Sequence, residues 1–369
     1  MSSSCSTSTA RAVGEQPGCW GGIIHRYRAF LPVTDATPVI TLNEGNTPLV
    51  SAHNFVASLG GKFELWLKYE GLNPTCSFKD RGMTMAISKA AERGATAVIC
   101  ASTGNTSASA AAYAARAGMR CVVLLPNGKI ALGKMAQALM YGATTVSIEG
   151  NFDDALRIVR ELGQTGKVEV VNSINPYRIE GQKTASFEVC AQLGRAPDFH
   201  FLPVGNAGNI TAYWKGYTEY RANGLVSSCP RLFGFQAAGA APLVEGHPVA
   251  DPHTIATAIR IGNPASWQGA TNALKESGGH IAKVTDEEIL EAYKRIARTD
   301  GIFVEPASAS ALAGVIQCHR AGMIPAGSVL VATMTGHGLK DPDCAISNAG
   351  FAPTVVKPDV DAVLRVVGI

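Results

Sequence analysis

The chain has 369 residues, of which 46% are hydrophobic and 17% charged, and its formal net charge is +3. That length exceeds the roughly 100–200 residues usual for one domain, and the apolar share excludes a disordered chain. No window holds the Lys/Arg cluster that tracks a nucleic-acid backbone, and the longest apolar runs are far shorter than the roughly 20 residues that span a bilayer, so neither nucleic acid nor a membrane is an expected partner.

In chain order, residues 1–18 read as a serine-rich disordered tail without the apolar segment of a secretory signal. Nine cysteines are scattered with no Cys-x-x-Cys pair, the pattern of free thiols in a reducing compartment, and a cytoplasmic location is expected. From residue 96, β-branched runs at 96–101, 121–126, 144–148 and 168–172 alternate with segments of helical periodicity at 105–117, 129–142 and 153–163. The alternation resumes with strands at 199–204, 231–236 and 328–334 and helices near 209–223, 286–299 and 307–321. Thr285 and Glu288 form a capping box ahead of the 286–299 helix. The pattern predicts an α/β protein of two domains, each with a mostly parallel twisted sheet flanked by helices, and a ligand cleft at the seam.

Three hydroxyl- and glycine-rich turns fall at strand ends: Ser102-Thr-Gly-Asn-Thr-Ser107, Gly205-Asn-Ala-Gly-Asn209 and Thr333-Met-Thr-Gly-His-Gly338. The first two open helices, where unpaired N–H groups and the helix dipole favour an anion. Neither the P-loop pattern nor the dinucleotide fingerprint is present, which disfavours a nucleoside triphosphate. Lys79, in Pro74-Thr-Cys-Ser-Phe-Lys-Asp-Arg-Gly82, opens a helix, and the dipole there disfavours its ammonium form. The plainer alternative is a surface lysine paired with Asp80 or Glu70. His337 reads as structural, and no histidine pair has metal spacing, so no metal site is expected.

Taken together, these segments resemble the fold type II pyridoxal-5′-phosphate (PLP) enzymes, the tryptophan synthase β family, in both order and spacing. Within that family, Glu44-Gly-Asn-Thr-Pro-Leu, Asn172-Ser-Ile-Asn-Pro-Tyr-Arg-Ile-Glu-Gly-Gln-Lys-Thr184, Gly205-Asn-Ala-Gly-Asn209 and Thr335-Gly-His-Gly-Leu-Lys-Asp341 look like threonine synthases. The likeness covers about residues 20–345. It implies a large domain of 19–84 and 179–369, a smaller one of 85–178 carrying the Ser102 loop, PLP in the cleft between them, and a homodimer.

The resemblance implies roles residue by residue. Lys79 would carry PLP as a Schiff base and shuttle protons. Asn105 would donate to the ring hydroxyl oxygen. Gly205, Asn206, Ala207, Gly208 and Asn209 would cradle the cofactor phosphate, and Thr335 would donate its hydroxyl to an unprotonated pyridine nitrogen, which leaves a weak electron sink unexplained. The implied substrate is O-phospho-L-homoserine, with Ser102, Thr103, Asn105 and Thr106 on its carboxylate and Asn172 and Arg178 on its phosphate, Lys183 being either a further phosphate contact or exposed. Rival readings are a serine/threonine dehydratase, a cysteine synthase-like lyase, or a PLP-binding protein without catalysis. Such dehydratases carry a run of glycines in the phosphate loop and often serine or cysteine at the ring nitrogen, where this chain has Gly-Asn-Ala-Gly-Asn and Thr335.

Overall fold

Ten strands form two sheets in the computed structural model, which describes residues 20–127, 132–150, 152–351 and 353–368. The expected tail of 1–18 lies outside the described residues. The strands are β1 (Leu49–Ser51), β2 (Glu64–Tyr69), β3 (Ala97–Ala101), β4 (Arg120–Pro126), β5 (Thr144–Ile148), β6 (Glu169–Val170), β7 (Phe199–Pro203), β8 (Arg231–Ala237), β9 (His280–Val284) and β10 (Val329–Met334). Helices of eight residues or more are numbered α1 (Lys79–Glu92), α2 (Asn105–Arg116), α3 (Leu132–Met140), α4 (Phe152–Gln164), α5 (Pro176–Leu193), α6 (Gly208–Ala222), α7 (Trp267–Glu276), α8 (Asp286–Asp300), α9 (Pro306–Arg320) and α10 (Val360–Val367).

The larger sheet runs β1-β2-β10-β7-β8-β9, parallel except for the edge strand β1, and the smaller runs β5-β4-β3-β6, parallel throughout. Both sheets are covered on two faces, as parallel sheets require. In the larger sheet, Phe199, Phe201, Phe233 and Phe235 join one apolar cluster with α8 and α9, while Leu202 and Leu232 point into another with α5 and α6. In the smaller, Val98 and Cys100 pack with α1 and α2, and Ile99 and Ala101 pack with α4. The period of two along each strand thus divides its side chains between two cores.

The expected capping box is present: the Thr285 hydroxyl accepts from Glu288 N–H at 3.2 Å and the Glu288 carboxylate accepts from Thr285 N–H at 2.8 Å. Among the described residues no helix is long and apolar enough to cross a membrane. Parallel strands place their carboxyl ends on one side, so the turns after β2, β3, β7 and β10 are the ones that can face a common cleft.

Candidate active site

Lys79 is the first residue of α1, carried there by the turn that follows β2. Three backbone contacts fix this turn against the one after β10: Phe78 N–H donates to Thr335 O at 2.9 Å, His337 N–H donates to Cys76 O at 3.0 Å, and Ser77 bridges Gly336. Cys76 takes a left-handed backbone with φ of 64°, a strained conformation for a non-glycine residue that turns the chain into the helix.

Neither acid proposed as a surface partner neutralises Lys79. Glu70 is bound to Arg81 at 2.6 Å, and the Asp80 carboxylate accepts from Thr75 N–H at 2.7 Å, the Thr75 hydroxyl at 2.5 Å and the Ser109 hydroxyl at 2.6 Å. Burial lowers the Lys79 amine to about 7; the Arg178 charge adds to this and Glu305 opposes it. Tertiary burial is therefore the main cause of the lowered value, and a neutral, nucleophilic amine is accessible near neutral pH.

Arg178 lies in the first turn of α5, only 1% exposed. Its Nη1 donates to Val171 O at 2.8 Å, but buried Nε and Nη2 have no protein partner. Burial lowers the guanidinium to about 10. The guanidinium lies against Gly82, where an added Cβ would come within 2.5 Å of Nε, so it borders the face of α1 one turn beyond Lys79. A buried cation with free donors calls for an anion.

The Ser102–Ser107 turn joins β3 to α2, and Ser102, Thr103, Asn105 and Thr106 are all partly accessible. Asn172 fixes its start: the Asn172 amide donates to Ala101 O at 2.9 Å and accepts from Ala101 N–H at 3.0 Å. One of its two Nδ2 hydrogens and its oxygen thus support the loop. Asn105 reaches across to the larger sheet, donating from Nδ2 to Glu305 Oε2 at 2.9 Å.

The 205–209 turn joins β7 to α6. Ala207 has φ of 64°, which aims the first N–H groups of α6 outward. A Cβ on Gly205 would sit 2.9 Å from Ile259 Cα, so close chain approach requires glycine there. Asn206 ties in the segment before α7, accepting from Ala265 N–H at 3.2 Å on Oδ1 and from Ser266 N–H at 3.1 Å on its carbonyl. Asn209 Nδ2 is buried without a protein partner.

Thr335, buried at the end of β10, lies 3.0 Å from Glu305 Oε1 and 2.9 Å from Ser308 Oγ. Glu305 was missed at the sequence level; burial raises its carboxyl, against the bonds from Asn105 and Thr335 and the Lys340 and Lys79 charges. Its only sequence signal was position, ahead of Pro306 at the start of α9. Lys340 was also missed and donates to Thr75 O at 3.4 Å and to Gln137 of α3. The His337 Nδ1 accepts from Leu339 N–H at 3.2 Å and so caps the short turn that follows. Lys183 is neither exposed nor free: it is 2% exposed and ion-paired with Glu180 at 2.7 Å and Glu219 at 2.8 Å. Among the described residues no group of acids, cysteines and histidines could hold a metal.

The described residues thus include a lysine with a lowered amine beside a buried cation with free donors, and a helix N-terminus with a buried free amide at Asn209. A lysine of that kind and an anion-favouring helix N-terminus both suit PLP. A profile of the family described as "Pyridoxal-phosphate dependent enzyme" matches residues 40–336. The chain belongs to this family.

Among its relatives, it is 56% identical to a threonine synthase of Synechocystis sp. over 350 residues, 95% of this chain and 91% of that one. It is 58% identical to a threonine synthase of Mycobacterium leprae over 345 residues, 93% and 94% of the two chains. Within the PLP-dependent family the chain belongs with the threonine synthases. The fold resembles the processed form of threonine deaminase isoform 2 from Solanum lycopersicum, with a TM-score of 0.72 over 89% of this chain and 94% of that one. At 21% identity that likeness concerns the fold alone.

Proposed function

We propose that this PLP-dependent enzyme converts O-phospho-L-homoserine and water to L-threonine and phosphate. The Cγ–O bond and one Cβ–H bond break, water gives its hydroxyl to Cβ, and the two protons released go to Cγ and to the departing phosphate. The observation that carries the choice of substrate is Arg178, buried beside the lysine helix with two donor atoms unpartnered. PLP, when bound, supplies the electron sink and the covalent hold on the substrate amine.

The chain's own residues do the rest. Lys79 anchors the cofactor, and its Nζ, freed by the substrate amine, removes the Cα proton and carries protons to and from Cβ and Cγ. The N–H groups of Gly205 to Asn209, with Asn209 Nδ2, hold the cofactor phosphate. Asn105 has one Nδ2 hydrogen on Glu305 and a second for the ring hydroxyl oxygen, and Thr335 faces the ring nitrogen. Ser102, Thr103, Asn105 and Thr106 hold the substrate carboxylate, while Arg178 receives the departing phosphate, with Asn172 keeping the loop in place.

The test is an assay of purified protein with O-phosphohomoserine, and with serine or threonine as competitors. Equimolar phosphate and threonine are expected; keto acid from serine or threonine with no phosphate release overturns the reading in favour of a dehydratase. We propose a homodimer in the cytoplasm, divided at 84/85 and 178/179. The seven described cysteines are all free thiols, which suits a reducing compartment. Light scattering, cell fractionation and limited proteolysis check these three points.

A further inference from the structure

Gly82 lies in the first turn of α1, three positions after Lys79 and therefore on the same face of the helix. Glycine inside a helix costs stability relative to alanine, and Gly82 has no positive φ that would require it. Its reason lies in space. A Cβ at Gly82 would lie 2.5 Å from Arg178 Nε and 2.9 Å from both Arg178 O and Gln182 Nε2. Gln182, one turn further along α5 and only 4% exposed, thus comes to the same point as the guanidinium.

A second glycine at this crossing of α1 and α5 does something different. A Cβ on Gly181 would come within 1.8 Å of Arg81 O and 2.9 Å of Gly82 Cα, so Gly181 yields to backbone and sets how near the two helices come. At Gly82 the tightest meeting is with a side-chain nitrogen, and what the missing Cβ admits is the Arg178 guanidinium. That group is held at one further point, Nη1 on Val171 O at 2.8 Å, while Nε and Nη2 are buried without a protein partner. A cation fixed in this way, with donors left over, is placed to receive an anion.

We infer that Gly82 is a specificity-determining position: its missing side chain seats the Arg178 guanidinium on the helix that carries Lys79, and so sets where the substrate phosphate is held relative to the amine. This rests on Arg178 as the phosphate residue in the proposed function, and adds the residue that places it. Gly82 acts as a positioning residue through Arg178. A methyl group there displaces the guanidinium from the helix surface, so the loss falls on phosphate binding and spares the attachment of the cofactor.

The test compares holoenzyme of the wild type, Gly82→Ala, Arg178→Ala and the double variant. Gly82→Ala should keep the imine absorbance and raise KM for O-phosphohomoserine by roughly 10-fold or more, the scale of a charge-assisted hydrogen bond, with kcat falling less than KM rises. Calorimetric binding of inorganic phosphate should weaken by a similar factor. In the Arg178→Ala background the same methyl group should add less than about twofold, since it acts only through the guanidinium. Unchanged KM and phosphate affinity in Gly82→Ala overturn the inference, as does a full further loss in the double variant; either makes Gly82 a packing residue alone. If Gly82→Ala cannot be purified, recovery of folded holoenzyme on removing the guanidinium as well upholds the inference, and failure of both variants overturns it. A wild type that releases no phosphate from O-phosphohomoserine defeats the proposed function itself, whereas turnover that Gly82→Ala leaves unaltered defeats this inference alone.

Discussion

Two buried arginines accompany Lys79, Arg81 on the same helix and Arg178 on α5, and they differ in their partners. Arg81 donates to both oxygens of Glu70 at 2.6 and 2.8 Å and both oxygens of Glu188 at 2.7 Å, and Lys68 adds a bond to Glu188 at 2.7 Å. Two cations meet two anions and every charge is answered. Arg178 has a carbonyl at Nη1 and nothing on Nε or Nη2. Where the chain supplies the counter-ion the cluster can only hold structure together; where it withholds one, a ligand completes the site. The difference separates scaffold from function more sharply than burial does, since both guanidinium groups are buried.

The largest effect should come from Lys79 itself. Lys79→Ala should remove the imine absorbance and lower kcat/KM by at least about 10³-fold, within the range for loss of a proton-transfer group. Retained turnover would remove the basis for reading the Arg178 side as catalytic.

The second test sets the clusters against each other. Glu188→Ala leaves Arg81 and Lys68 short of charge and should cost about 3–5 kcal/mol in urea unfolding. Arg178→Met removes a charge that has no counter-ion and should leave apoprotein stability unchanged or raised. The same change should raise KM for O-phosphohomoserine by roughly 10- to 100-fold, on the order of a charge-assisted hydrogen bond, with cofactor spectra unaltered. Loss of stability equal to that of Glu188→Ala would make the two arginines alike.

Much of this was readable in the sequence where local chemistry decided it. The strands at 97–101 and 120–126 are apolar runs of a sheet buried on both faces, the edge strand at 144–148 is an exposed β-branched run, and the 286–300 helix announces itself by its capping box. What escaped depended on distant partners. Lys68 looks like a solvent-facing charge in β2, but Glu188 is 120 residues away. Glu305 has no spacing signature, because Asn105 and Thr335 come to it from different sheets. The helix dipole suggested a reactive Lys79 for a minor reason; burial and Arg178, neither visible locally, set its basicity. Strand β1 at the antiparallel edge, only three residues long, gave no periodicity to read.

The lowered Lys79 amine gives a pH dependence. Since only the neutral amine attacks an aldehyde, PLP loading onto apoprotein should speed up as pH rises toward about 7 and level off above it, followed by imine absorbance. A rate still climbing at pH 9 would mean an ordinary lysine. Stability follows the same titration: between about 7 and the ordinary lysine value of 10.5 the unfolded chain binds the proton that the folded chain has released, so apoprotein should gain stability as pH rises through that window. Lys79→Met should remove that gain. Glu188 has the same sign in a lower window: burial pushes its carboxyl up, but Arg81 and Lys68 more than reverse this and hold it at about 2, so its contribution is present above about 4.5 and lost as pH falls toward 2.

The smallest expected effect is the most discriminating for where the cation surplus ends. Lys183 follows Arg178 on α5 by five residues, which at 100° per residue puts it about 140° round the helix. There it meets Glu180 and Glu219, and Lys215 shares Glu180. This is again a satisfied cluster, but one whose acids are partly exposed, so Lys183→Met should cost only about 1 kcal/mol of stability. KM for O-phosphohomoserine should stay within about twofold, because a cation already matched by two carboxylates has little field left for a phosphate. A tenfold rise in KM with unchanged stability would place Lys183 on the phosphate after all, and would show that counting counter-ions fails to separate the two sides of the helix.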